Sequence, residues 1–178
     1  DKDASLGGVC LIRGCIPSKA LLHVAKLLNE TRDAGDWGLT YAEPEIDLAR
    51  LNAWKDGVVA TMTGGLRQLA RARKITCVEG TATFVNAHTL RVSAANGAEQ
   101  LSFEHAIIAT GSRPTVIPTF DIDSDRILDS TSALALRHLP ESMLVVGGGI
   151  IGLELGTVYA ALGTEVSVVE MLPGIIPP

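Results

Sequence analysis

The sequence predicts an α/β fold, and three observations carry that expectation. A strand-like run, Met143–Val146, feeds a glycine-rich turn, Gly147-Gly148-Gly149-Ile150-Ile151-Gly152; a helical pattern and a second strand-like run, Glu165–Val169, follow. Apolar residues recur at helical spacing between Ser18 and Arg73, then alternate with period two from Ile75. Two cysteines five apart, Cys10 and Cys15, stand between a glycine pair and a Pro-Ser-Lys helix start.

Composition narrows the field. With 178 residues, 47% of them hydrophobic, the chain can bury one sizeable core. A net charge of −5 and no run of lysine or arginine argue against nucleic acid as a partner. Three cysteines make no secreted disulfide framework and fit a reducing compartment, so a cytoplasmic location is expected. The longest apolar run, Met143 to Leu153, falls short of the roughly 20 residues a membrane helix needs, and no span is expected. The chain starts at Asp1 without methionine and stops at Pro178 just after a strand, so neither end is expected to be a natural terminus.

Asp1 to Val9 reads as a loop feeding the cysteines. In a regular helix a rise of about 1.5 Å per residue holds positions five apart beyond the roughly 7 Å a disulfide spans; if Cys10 and Cys15 pair, the turn between them is irregular. Gly14 permits such backbone, and Pro17 suits a first helical position. The following helix runs from Ser18 to about Asp33 through Leu21, Leu22, Ala25 and Leu28, ended by Gly35. Cys15, at its positive end with Lys19 nearby, is expected to be a reactive thiol of lowered pKa. A second helix is expected from Ile46 to about Arg73, with Gly64-Gly65 marking a bend. Trp37 and Trp54 are expected to be packing residues.

Strands are expected at Ile75–Glu79, Thr81–Val85, Thr89–Ser93 and Glu99–Phe103, with a hairpin turn at Asn96-Gly97, and at His105–Ala109. Cys77 is expected to be an inert core thiol. Pro118 to Asp129 reads as a loop and Ser132 to Leu136 as a short helix capped by Ser130 or Thr131. A boundary is placed near Pro140. Met143–Val146 reads as a buried strand, and Gly163 ends the helix after the glycine turn.

That last unit has the full context of a dinucleotide site. Gly147 allows the tight turn, Gly149 lets backbone approach a pyrophosphate, and Gly152 lets helix sit close to strand. The free N–H groups at the helix start, from Ile150 and Ile151 onward, face phosphates. Glu170, closing the second strand, would accept hydrogen bonds from a ribose 2′-hydroxyl and repel a 2′-phosphate, which favours NAD over NADP. Glu154 lies between apolar Leu153 and Leu155, a place where glutamate is seldom left unpaired.

The run Leu6-Gly7-Gly8-Val9-Cys10-Leu11-Ile12-Arg13-Gly14-Cys15-Ile16-Pro17-Ser18-Lys19-Ala20-Leu21-Leu22 resembles the redox-active disulfide segment of the dihydrolipoamide dehydrogenase branch of the pyridine nucleotide-disulfide oxidoreductase family. The resemblance extends from Asp1 to about Pro173, with one departure: the family has Asn-Val where this chain has Ile12-Arg13, which places a charge where burial is expected. It implies glutathione-reductase-like FAD- and NAD-binding domains, incomplete here, with an antiparallel β insertion and a helical pair. Residues 1–140 would form part of the FAD domain and 141–178 the first strand-helix-strand of the NAD domain.

The resemblance further implies NAD-dependent oxidation of dihydrolipoamide carried by a lipoyl domain of a 2-oxo acid dehydrogenase complex. Cys10 would be the interchange thiol and Cys15 the flavin-side thiol, the two forming a redox disulfide. Lys19 and Glu154 would pair beside the flavin ring. Asp1 would hold the FAD ribose, Ala82 would lie by the adenine, and Gly7, Gly8, Thr110 and Gly111 would line the flavin site. The family takes its catalytic base from a His-Glu pair in the interface domain of a homodimer partner. His23, His88, His105 and His138 do not match that segment and are expected to be surface or packing residues. The first FAD-binding strand and its glycine turn are absent ahead of Asp1, so the chain alone is not expected to turn over. Alternatives are another flavin disulfide reductase of the family, or an inactive fragment or interaction module.

Overall fold

In a computed structural model, residues 1–120 and 122–176 are described. A short helix α1 (Gly8–Arg13) is followed directly by α2 (Cys15–Asp33), the two separated only by Gly14. A Cβ on Gly14 would lie 2.9 Å from the Val9 carbonyl oxygen, so this fold-back needs glycine. Because α2 begins at Cys15, Pro17 occupies its third position, where the missing N–H is one of those with no intrahelical partner anyway. Beyond Asp33 a 3-10 turn (Ala34–Trp37) ends at Gly38 with φ 82°, so Gly38 stops the chain rather than Gly35.

Helix α3 (Leu48–Ala72) runs unbroken through Gly64-Gly65, its start capped by the Asp47 carboxylate, which accepts from the Arg50 N–H at 3.0 Å. The antiparallel meander β1 (Thr81–Asn86), β2 (Thr89–Ala94) and β3 (Gly97–Ser102) follows, β2 and β3 closing on the expected turn with Ala94 opposite Gly97. Phe84 and Phe103 meet edge to face at 6.0 Å. Two expected strands do not form. Residues 75–79 and 105–109 join no ladder among the described residues, and Ile107 is 94% exposed. An apolar run becomes a strand only where another edge pairs with its backbone.

A 3-10 turn (Pro118–Phe120) interrupts the expected loop. Helix α4 (Ser130–Leu134) starts earlier than expected, and its cap is Asp129 in a reciprocal capping box with Ser132 rather than Ser130 or Thr131. Then β4 (Ser142–Val146), α5 (Ile150–Ala161) and β5 (Glu165–Val169) form a parallel strand-helix-strand unit with Val145 opposite Val168. Helix α5 covers only one face of this sheet: Leu144 is 61% exposed, so β4 is half-buried rather than buried.

The core joins α2, α4 and α5 through Leu21, Ala25, Leu134, Leu136, Val158 and Tyr159. Polar groups inside it are satisfied. Tyr159 donates to the Ala133 carbonyl at 3.0 Å, and buried Lys55 donates to the Leu134 carbonyl at 2.7 Å and to Asn52 at 2.9 Å. Outside it lie residues expected within: Trp37, on the 3-10 turn, is exposed, and so are Trp54 and Cys77, because α3 and segment 75–79 meet the rest of the chain along few of their side chains. The helical stretch Gly8–Trp37 has the length and hydropathy of a membrane span, but Leu21 and Ala25 on it face α5 in the core and Lys26, Glu30 and Arg32 lie along it, as in a soluble core helix.

Candidate functional site

Two sites meet where α2 packs on α5. The first is the cysteine pair. Cys10 lies in α1 and Cys15 opens α2, and the fold-back at Gly14 brings their side chains together as exposed, free thiols that influence one another's titration. The Cys15 thiol is held above its ordinary value, chiefly by the hydrogen bond to Cys10, then by desolvation and the charge of Cys10. Lys19 pulls the other way but more weakly, so the expected lowering does not occur. A neighbouring thiol outweighs the helix end and a lysine that reaches past into solvent.

Arg13 is neither buried nor unpaired. It donates to the Asp3 carboxylate at 3.0 Å, and both side chains are about one-third exposed (35% and 31%). Asp3 donates its N–H to the Asp1 carboxylate at 3.0 Å, and the Asp1 backbone brackets Val78 and Gly80, accepting from the Gly80 N–H at 2.8 Å. Asp1 is thereby brought to the foot of β1, where Ala82 stands. Gly7 and Gly8 have positive φ at the start of α1, Gly8 with open space around it, and Gly111 packs against Val9, so Thr110-Gly111 reach the cysteine segment. A cleft of about 770 Å³ opens between Lys2, the Cys77–Thr81 stretch and the β2–β3 turn. Backbone left bare of side chains beside this cleft and the thiols suits a long, flat ligand such as FAD.

The second site is the glycine turn. Gly147 has φ 106°, nothing lies within 4 Å of a Cβ built on Gly149, and one built on Gly152 would lie 2.6 Å from the Gly147 carbonyl oxygen. Helix α5 starts without a side-chain cap, leaving the N–H groups of Ile150 to Gly152 free for phosphate, while the Ile150 and Ile151 side chains are more than half exposed (56% and 63%). Glu170 accepts from the Gly148 N–H at 2.7 Å and the Leu172 N–H at 2.8 Å, bonds that hold its carboxyl below the usual range. Each oxygen keeps a further lone pair for a ribose hydroxyl. The donor set fits a dinucleotide.

One ion pair joins the two sites. Lys19 Nζ donates to Glu154 Oε1 at 2.5 Å, across 135 positions of sequence. Ser18, which sequence reasoning used only as part of a motif, donates toward Glu154 Oε2 at 3.1 Å and the Cys15 carbonyl at 3.2 Å. Gly148 and Asp3 were also missed, because their contacts are to partners far away or in the backbone. All four histidines are exposed, and among the described residues none hydrogen-bonds to Cys10 or Cys15.

Comparison with known proteins places the chain in a family. The family described as pyridine nucleotide-disulphide oxidoreductase matches residues 3–178. The chain is 52% identical to a dihydrolipoyl dehydrogenase of Haemophilus influenzae and 49% identical to dihydrolipoyl dehydrogenase 2 of Haloarcula marismortui, in each case over 99% of this chain. It spans 37% and 38% of those relatives. Among solved structures, LpdA of Mycobacterium tuberculosis superposes with a TM-score of 0.86 at 25% identity, over 98% of this chain and 39% of that one. The flavoprotein disulfide reductase RclA of Escherichia coli does so with a TM-score of 0.77 at 30% identity, over 96% and 35%.

Proposed function

Since the chain belongs to the pyridine nucleotide-disulphide oxidoreductases, a family of FAD- and NAD-using enzymes, we propose that the full-length protein containing it is a dihydrolipoamide dehydrogenase. The observation that carries the reading is the exposed Cys10–Cys15 pair folded beside the Lys19–Glu154 ion pair and one helix away from a dinucleotide turn. Residues 1–140 supply part of the FAD-binding domain and 141–178 the start of the NAD-binding domain. Asp1, Gly7, Gly8, Ala82, Thr110 and Gly111 would hold FAD; Gly147, Gly149, Ile150, Ile151, Gly152 and Glu170 would hold NAD.

The working disulfide joins Cys10 and Cys15. A dihydrolipoamide thiolate attacks Cys10 Sγ; the Cys10–Cys15 bond breaks and its electron pair stays on Cys15. The second lipoyl thiol then attacks the lipoyl sulfur of the mixed disulfide, releasing lipoamide and the Cys10 thiolate, so two electrons rest on the pair. FAD, when bound, supplies the route by which those electrons leave as hydride for NAD+. Lys19 and Glu154 place a fixed charge beside Cys15 on that route. The proton-accepting base comes from outside this chain, as does the homodimer it belongs to, and the substrate arrives on a lipoyl domain of a 2-oxo acid dehydrogenase complex in the cytoplasm.

The test is lipoamide-dependent NADH formation by the full-length protein. Turnover that is lost in Cys10→Ser supports the reading. The likeness to RclA favours a second one, reduction of a different disulfide. Flavin reduced by NADH but not by dihydrolipoamide would select it.

A further inference from the structure

Ser18 takes no part in the chemistry above, yet its residue is only 7% exposed and its hydroxyl is placed between two acceptors, Glu154 Oε2 at 3.1 Å and the Cys15 carbonyl at 3.2 Å. A hydroxyl has one proton to give, and a carboxylate draws it more strongly than a carbonyl does. Ser18 and Lys19 are successive residues of α2, and they grip the two different oxygens of one carboxylate on α5. The Lys19 side chain is 59% exposed and that of Glu154 only 25%. An ammonium on a flexible stem is not fixed by a free-turning partner; it is fixed by a carboxylate whose own rotation is stopped.

We propose that Ser18 is a positioning residue: by holding Glu154 Oε2 it stops the carboxylate with Oε1 toward Lys19 and so fixes the ammonium beside the cysteine pair. The inference deepens the preceding reading, since the fixed ammonium lies on the proposed electron route, but the geometry does not depend on which disulfide is reduced.

The rate at which acetic anhydride labels Lys19, read by mass spectrometry on the full-length protein with and without its flavin, tests this without turnover. Removing the hydroxyl in Ser18→Ala should raise the Lys19 rate about two- to five-fold, the range a partly exposed ion pair supports. Ser18→Thr, which keeps the hydroxyl, should restore it, and Lys26 should label equally in every variant. The double variant Ser18→Ala/Glu154→Gln should label no faster than Glu154→Gln alone, because Ser18 acts through Glu154. Ser18→Gly is read alongside, so that a folding defect in one variant leaves the other. A wild-type Lys19 rate in the folded Ser18→Ala or Ser18→Gly protein, or effects that multiply in the double variant, would overturn the role. Absence of lipoamide turnover in the unsubstituted full-length protein, with these labelling results intact, would count against the proposed function alone.

Discussion

The cysteine turn and the glycine turn both break the chain at a glycine just ahead of a helix, and they use the break in opposite ways. At Gly14 the missing side chain lets α1 and α2 fold back until two thiols meet, so side chains carry the chemistry. At Gly147–Gly152 the missing side chains expose the backbone itself, and N–H groups are the binding reagents. The first site is therefore vulnerable to a change of atom type that leaves its shape intact. The second is vulnerable to any added carbon.

The largest effect expected from breaking this contrast is at the thiols. Cys10→Ser and Cys15→Ser should each abolish lipoamide turnover of the full-length protein while, with the parent's disulfide reduced, unfolding in urea within about 0.5 kcal/mol of the parent, because both positions are exposed. Next comes Gly152→Ala. The new methyl meets the Gly147 carbonyl at 2.6 Å and Val145 at 2.9 Å, and overpacking of this kind costs about 1–3 kcal/mol. Urea unfolding should show that loss and an NADH titration weaker binding, with Cys10 and Cys15 alkylation unchanged. Equal damage to both sites would mean that they are not separable.

A smaller effect sharpens the cysteine side. Alkylation of Cys15 against pH should have its midpoint above the ordinary thiol value, and Cys10→Ala should bring it down by removing the hydrogen bond and the neighbouring charge. The folded value being raised, any stability drawn from that hydrogen bond is present below the ordinary thiol value and lost as pH rises through the folded one. The smallest effect lies at α4, whose side-chain cap neither site possesses. Asp129→Ala should cost about 1 kcal/mol near neutral pH. Hydrogen bonds from the Ser132 backbone and side chain hold the Asp129 carboxyl below the usual range. Its contribution is present above the ordinary aspartate value and fades as pH falls through the lower folded value. Parent and variant melting curves should converge in acid.

What the sequence made legible follows the same division. The strand-helix-strand unit, the β1–β2–β3 meander and both long helices rest on local periodicity and local turns, and they form with ends within a few residues of expectation. The segments at 75–79 and 105–109 carry equally apolar patterns, but a strand is a property of two backbones, and periodicity is silent about the second. Glu154 was readable because two apolar neighbours flank it; Ser18 was not, because its partner lies 136 positions away and serine is at home in any first turn. The pull on Cys15 was misjudged for a related reason. Lys19 was visible four residues from Cys15 in the chain, whereas the closeness of the two sulfurs is created by the Gly14 fold-back.

The central claim, that Cys10 and Cys15 form one two-electron unit, is tested most directly by mapping disulfides by mass spectrometry before and after anaerobic dihydrolipoamide treatment of the full-length protein. The account predicts a Cys10–Cys15 disulfide before treatment, two new free thiols at those positions afterwards, and Cys77 free throughout. A Cys10–Cys15 pair that dihydrolipoamide leaves oxidised, or a reducible disulfide that includes Cys77, would contradict it.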